Sequence, residues 1–192
     1  MSINDILKPK SREEIEEEFK KRSPHELFSL AQKFQLEEPV LWFLKKSFMD
    51  NPNYVFIMTI FIWAIHNNKY NVVKRLLDLR AIDNNLLKTN LRYTDYNIAK
   101  LFMKKRIIPH INDFIAEILR ENEEKIKLYL TCKEFDPSEK NNIALSFADY
   151  KRNKNVVNIL LNDKRIKNKL SIQDIEKLYK KYNFIVKESI YI

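Results

Sequence analysis

The segment Asn71-Val72-Val73-Lys74-Arg75-Leu76-Leu77-Asp78-Leu79-Arg80-Ala81-Ile82 returns as Asn155-Val156-Val157-Asn158-Ile159-Leu160-Leu161-Asn162-Asp163-Lys164-Arg165-Ile166. Asn97-Ile98-Ala99-Lys100-Leu101-Phe102-Met103-Lys104-Lys105-Arg106-Ile107-Ile108 has the same form, and weaker copies begin at Pro39-Val40 and Lys125-Ile126. The first apolar positions are Val40, Val72, Ile98, Ile126 and Val156, and four residues later come Leu44, Leu76, Phe102, Leu130 and Leu160. A pair at i and i+4 lies on one face of a helix, so each copy reads as a helix that buries one stripe. A second helix precedes most copies: Ala64 stands eight residues before Val72, Ala148 eight before Val156 and Ala31 nine before Val40. A small residue there lets two helices approach closely. The unit is therefore helix, short turn, helix, over about 30 residues, and it needs neighbours to cover its apolar stripe.

Helix punctuation follows the same plan. Ser11-Arg12-Glu13-Glu14 and Ser23-Pro24-His25-Glu26 are capping boxes, in which the serine and glutamate side chains satisfy each other's free backbone N–H groups. The first predicts an acidic helix to about Arg22. The second carries proline at the first helical position, where its missing N–H costs nothing. Ser171-Ile172-Gln173-Asp174 opens a further helix near the end, and Pro39, Pro52, Pro109 and Pro137 sit at or near segment starts. No stretch alternates with period two except the tail from Phe184 to Ile192, which reads as helix or docked coil. The fold class expected is all-α.

Composition narrows the chemistry. The 192 residues contain no glycine, which excludes a P-loop, a dinucleotide-binding G-x-G-x-x-G and a G-x-S-x-G nucleophile elbow, all of which need glycine where the backbone meets a ligand or turns sharply. Cys132 is the single cysteine, so neither an intramolecular disulfide nor a multi-cysteine zinc site can form, as suits a reducing compartment. Residues 1–50 hold nine basic and ten acidic side chains, and residues 51–192 the remaining 26 and 16. That basic excess permits contact with nucleic acid, an anionic membrane or an acidic protein, and it equally fits a lysine-rich solvated surface. The start of the chain lacks a secretory pattern. The most apolar run, Tyr54 to Ile65, falls short of the ~20 residues a spanning helix needs and reads as a buried core helix, with an interfacial membrane segment as the alternative.

With the units in register, the segment Phe135-Asp136-Pro137-Ser138 through Asn141-Asn142, Ala144, Val156-Val157, Leu160-Leu161 and Arg165-Ile166 resembles an ankyrin repeat. More narrowly, it is similar to the divergent ankyrin repeats of large DNA viruses of amoebae. Tyr54 to Ile82 resembles the same unit, and Asn68-Lys69 and Asn153-Lys154 stand where that family has Gly-His between its helices. The resemblance implies an ankyrin-like helical-repeat solenoid forming one domain over residues 1–192. Its N-terminal capping helix spans 1–22, about five degenerate units span 23–168, and a C-terminal cap and tail span 169–192. The Thr-Pro-Leu-His signature is missing, and the unit between Val72 and Ile98 is short. Its first helix, around Asn84 to Lys88, should be truncated, and the family's β-hairpin fingers reduced to turns.

His25, His66 and His110 stand in different units and make no metal-ligand spacing with Cys132. Glu13, Glu14, Glu16, Glu17 and Glu18 read as a solvated face. No cofactor, metal or catalytic residue is expected, and the chain reads as a non-enzymatic binding module. The resemblance implies that the residue before the small one in each first helix lines the surface that holds a protein partner, host or viral. Those positions are Leu30, Trp63, Glu117 and Phe147. Trp63 and Phe147 are of the aromatic type that anchors interfaces, and both equally suit a core sealed by neighbouring helices. The competing class is nucleic acid held by a basic edge. Its candidates are Lys104, Lys105, Arg106, Lys151, Arg152 and Lys154, then Lys164, Arg165, Lys167, Lys169, Lys177, Lys180 and Lys181. A structural role in a virion is a third. The resemblance places the protein in host cytoplasm or virion.

Overall fold

The computed structural model describes residues 12–46 and 53–184, and among them are thirteen α-helices, one 3-10 turn and no strand. The helices are α1 (Arg12–Lys20), α2 (Pro24–Phe34), α3 (Glu38–Lys46), α4 (Tyr54–His66), α5 (Tyr70–Asp78), α6 (Asn84–Asn90) and α7 (Tyr96–Lys104). After these come α8 (Ile111–Leu119), α9 (Glu123–Leu130), α10 (Glu139–Tyr150), α11 (Lys154–Leu161), α12 (Lys164–Lys167) and α13 (Ile172–Tyr182). The all-α class expected from the sequence holds.

Capping residues set the helix starts. Ser23 accepts from the Glu26 N–H while the Glu26 side chain takes the Ser23 N–H at 2.7 Å. Ser171 accepts from the Asp174 N–H at 3.1 Å. Ser11, Pro52 and the tail beyond Phe184 lie outside the described residues, and α1 ends at Lys20, short of Arg22. The apolar run from Tyr54 is α4, whose Asn53 cap accepts from Val55 and Phe56 N–H groups. No described helix is long and apolar enough to cross a membrane. The truncated helix falls where the sequence places it: α6 is seven residues long and passes into a 3-10 turn at Leu91–Tyr93.

A recurring turn fixes the register of the hairpins. After α2, α4, α8 and α10 the chain passes through a left-handed residue, Gln35 (φ 56°), Asn68 (53°), Glu121 (60°) and Arg152 (54°). The next N–H then donates back to the carbonyl five residues before it: Leu36 to Ala31, Lys69 to Ala64, Asn122 to Glu117 and Asn153 to Ala148. This is the Schellman closure of a helix end, built here without glycine. Side-chain caps then time the second helix, since Asp95, Asn122 and Asn153 accept from the N–H groups of Ile98, Lys125 and Val156. The third residue of each second helix is accordingly Val40, Val72, Ile98, Lys125 and Val156, all at most 1% exposed. Four residues on, Leu44, Leu76, Phe102, Tyr129 and Leu160 are fully buried.

One unit corrects the sequence reading. Its buried pair is Lys125 and Tyr129, one residue before the expected Ile126 and Leu130, and Leu130 is only half-buried. Ile126 is buried as well, at the place of Val73 and Val157. An apolar pattern passes over Lys125 because lysine is almost never fully buried unless paired.

The helices gather into two compact units, divided between Leu101 and Phe102, inside α7. In the first, α2 packs on α3, α4 on α5, α3 on α5, and α1 against α3. Phe28 meets Phe56 and Trp63 edge-on, each with ring centroids 5.6 Å apart. In the second, α8 packs on α9 and α10 on α11, and these hairpins join through α8 with α10 and α9 with α11. Arg165 ties α9 down: its guanidinium donates to the carbonyls of Leu130 (2.8 Å), Cys132 (2.7 Å) and Phe135 (2.8 Å). Asp163 holds the same guanidinium with both carboxylate oxygens, 2.9 and 2.6 Å.

Candidate functional site

The four residues expected on a partner surface do not share one environment. Trp63 is 8% exposed, packed on Phe28, with its indole Nε1 buried and without a hydrogen-bond partner. Leu30 and Phe147 are half-buried. Glu117 is 1% exposed. The turn register also moves Glu117: it is the counterpart of Ala64 and Ala148, not of Trp63 and Phe147. Leu30 and Trp63 belong to the first unit, Glu117 and Phe147 to the second.

Glu117 instead anchors a buried ionic cluster. Its Oε1 accepts from Lys125 Nζ at 2.9 Å and from Arg120 Nη1 at 2.8 Å, and its Oε2 from Asn122 Nδ2 at 3.0 Å. Lys125 is also 1% exposed. Tyr129 lies beneath, its ring 5.7 Å from Lys125 Nζ and its hydroxyl buried without a hydrogen-bond partner. Burial drives the Tyr129 phenol well above its ordinary range, and the Glu117 and Asp113 carboxylates add to that. Buried ion pairs mark either catalysis or architecture. Here Glu117 is saturated by two donors on the turn it closes, Arg120 and Asn122, and by Lys125 of the following helix, which is an architectural use.

Of the exposed large apolar side chains in the second unit, Ile108 and Ile172 stand apart, and two lie at the turns that follow α8 and α10. The last residues of these two helices, Leu119 and Tyr150, hold equivalent places and are 42% and 81% exposed. Arg120 and Lys151 follow them, then Glu121 and Arg152. Lys151 Nζ reaches Glu121 Oε1 at 3.9 Å, linking the two turns. No apolar periodicity singles out Leu119 and Tyr150. Their signal is position, legible once the turn residues Glu121 and Arg152 are aligned.

Two basic groups far apart in sequence meet beside this ledge. Asp149, half-buried at the end of α10, accepts from Lys181 Nζ at 2.7 Å and from the Tyr182 hydroxyl at 2.8 Å. Burial raises the Asp149 carboxyl, and those two hydrogen bonds, with the Lys181 and Lys177 charges, more than reverse it, leaving it below its ordinary value. Burial and the Asp149 hydrogen bond push the Tyr182 phenol up to about 12, against the opposing Arg152 charge. Lys154 Nζ lies 5.5 Å from the Phe184 ring, which stacks on Tyr182 with centroids 5.7 Å apart. Arg152, Lys154, Lys177 and Lys181 thus surround one carboxylate and two aromatic rings.

The remaining basic candidates are dispersed. Lys104, Lys105 and Arg106 are exposed at the end of α7. Arg165 is spent on the carbonyls after α9. Lys169 pairs with Asp136 at 2.9 Å, beside a shallow cleft of about 360 Å³ lined in part by Phe135, Ser138 and Asn168. Cys132 is near that cleft, its thiol raised first by burial, so it is not an activated nucleophile. Among the described residues no group of three His, Cys, Asp or Glu side chains could hold a metal ion. Compared with protein-family models, with curated proteins and with solved structures, the chain matches none.

Proposed function

We propose that the protein is a non-catalytic repeat module that holds a protein partner along the turn edge of its second unit. The observation that carries the reading is the exposed pair Leu119 and Tyr150, at matching ends of two helices packed on each other. Two exposed apolar side chains at matching helix ends, set among charges, are where a partner would find apolar surface to cover. Its charges are of both signs: Glu121 lies against Lys151 and Asp149 among the lysines. That mixture, with apolar side chains beside it, suits a protein surface better than an unbroken row of phosphates. The ankyrin-like arrangement of the helices, a viral source and a place in host cytoplasm or virion belong to the same proposal, and the sequence resemblance supports them. Relative to the expectation from sequence, the proposal moves the partner surface from Trp63 and Glu117, which are buried, to Leu119 and Tyr150.

A photo-crosslinking residue placed at Tyr150 of the full chain, expressed in cells, tests this. The expected result is covalent adducts that survive nuclease, and that do not form from the exposed position Lys127. Adducts that vanish with nuclease, or none at all, overturn the reading.

A further inference from the structure

The ledge and the basic corner lie on one stretch of chain. Tyr150 is followed directly by Lys151 and Arg152, then by Lys154 after one residue. Lys181 and Tyr182 of α13 reach Asp149, the residue before Tyr150, and Lys177 lies near enough for its charge to act on Asp149. A molecule seated on Tyr150 therefore meets cations contributed by the turn after α10, by α11 and by α13. Asp149 neutralises Lys181 by direct contact and Glu121 faces Lys151, whereas Arg152 and Lys177 each remain exposed at the rim. With Glu176 beside Lys177 counted too, the surface offers one apolar anchor point with an excess of positive charge to one side of it.

We infer that the partner presents an acidic, amphipathic peptide segment: an aromatic or leucine side chain for the Leu119–Tyr150 ledge, with carboxylates beside it for Arg152, Lys154 and Lys177. This rests on the protein-binding reading above and narrows its partner class by charge complementarity. Apolar contact supplies holding strength, and the rim cations speed the encounter and discriminate against basic or neutral partners. Charges at an exposed rim act through a screened field with a reach of ~8 Å at physiological salt, so the preference for acid should weaken as salt rises. Single-stranded nucleic acid is the rival occupant, since cations beside an exposed aromatic ring also suit phosphates and stacked bases.

The test is peptide display against the full chain. A random 16-residue library is selected in parallel on the parent and on the Arg152→Glu/Lys177→Glu variant. Both positions are exposed, and a melting curve shows whether the variant keeps the parental fold. Lys154→Glu replaces it if the fold is lost. The expected pool is enriched in Asp and Glu next to Phe, Tyr, Trp or Leu. Its best peptides should bind the parent at least tenfold tighter than the variant, and lose affinity with Tyr150→Ala. An enriched pool that is neutral or basic, or that binds the charge-reversed variant equally, overturns the acidic partner and leaves the protein-binding reading standing. No enrichment on either protein overturns both. A labelled 20-nucleotide single strand that competes for Tyr150 and binds tighter than the best peptide at physiological salt also overturns both. Self-association that the charge reversal abolishes makes a second copy of this chain the occupant, and overturns the proposal of a foreign segment.

Discussion

Lys125 Nζ lies 2.9 Å from Glu117 Oε1, and the two residues hold the positions that Ala148 and Val156 hold in the next hairpin. The separation is the same eight residues in both. One hairpin therefore closes its turn with a buried ion pair where its neighbour uses two apolar side chains. Removing one buried charge strands the other, which costs roughly 3–5 kcal/mol, whereas replacing both by well-packed apolar groups is neutral or stabilising by roughly 1–4 kcal/mol. Glu117→Ala should accordingly cost several kcal/mol in urea unfolding, and Glu117→Ala/Lys125→Val should recover most or all of that loss. A single variant as stable as the parent would refute the assignment of the pair. The same experiment reads the register: Tyr129→Ala should be as damaging as Leu160→Ala, roughly 3–5 kcal/mol for a large core residue, and Leu130→Ala clearly less.

Arg165 supplies a second sharp expectation. The end of a helix leaves its last carbonyls without partners, and here the guanidinium carried by α12 meets the last carbonyl of α9, on Leu130, together with the Cys132 and Phe135 carbonyls beyond it, at 2.7–2.8 Å. Leaving those carbonyls unmet costs about 1–3 kcal/mol. Arg165→Ala should lower stability by about that much and speed amide exchange between residues 128 and 136 ahead of the rest of the unit. Arg165→Lys should not restore it, because an ammonium cannot span carbonyls that a planar fork reaches together. Uniform exchange across the unit would show that Arg165 is not the clamp.

These two residues mark the limit of what was legible in the sequence. The all-α class, the helix-turn-helix unit and most register positions follow from apolar spacing and serine caps, because Val72, Leu76, Val156 and Leu160 obey the helical period. Lys125 broke the pattern because a charged residue took a core place. Its clue was present as a glutamate eight residues earlier, at the spacing of Ala64 from Val72, but an apolar scan discards both. Arg165 read as part of a basic edge because its partners are backbone carbonyls, which leave no trace in residue identity. Trp63 and Glu117 were assigned to a binding face by their nearness to a small residue. In Glu117's hairpin that nearness put the residue one place out of register. Tyr150 and Leu119 carry no pattern of their own and emerge only when left-handed turns are aligned.

Those turns yield a third prediction. All ten left-handed residues among those described are non-glycine. A side chain with a Cβ pays roughly 1–2 kcal/mol for that conformation, asparagine less, and glycine almost nothing. Against this, glycine loses more backbone entropy on folding. Glu121→Gly and Arg80→Gly should therefore raise the melting temperature modestly, by the equivalent of about 0.5–1 kcal/mol, and Asn68→Gly should do least. Lys140, at the head of the left-handed run Lys140-Asn141-Asn142, should behave like Glu121. A Glu121→Gly protein less stable than the parent would mean that its pairing with Lys151 outweighs the backbone cost.

The last prediction concerns pH. Asp136 is held down to about 2, first by the Ser138 hydroxyl and then by Lys169. Its ordinary value is about 3.9, so the folded state binds its proton less readily than the unfolded state. The stability this provides is fully present above about pH 4 and is lost as pH falls from there toward 2. Tyr182 has the opposite sign. Burial and Asp149 raise its phenol to about 12, so the fold favours the neutral form. That contribution is complete below about pH 10 and lost as pH rises from 10 toward 12. Denaturant unfolding at successive pH values should therefore show Asp136→Asn less stable than the parent at pH 7, with the gap closing by pH 2, and Tyr182→Phe with a flatter alkaline limb. Lys169→Ala should weaken the acid limb only in part, because the larger contribution comes from Ser138, and Ser138→Ala should weaken it more. An Asp136→Asn gap that persists unchanged at pH 2 would show that the asparagine loses packing or turn geometry rather than charge.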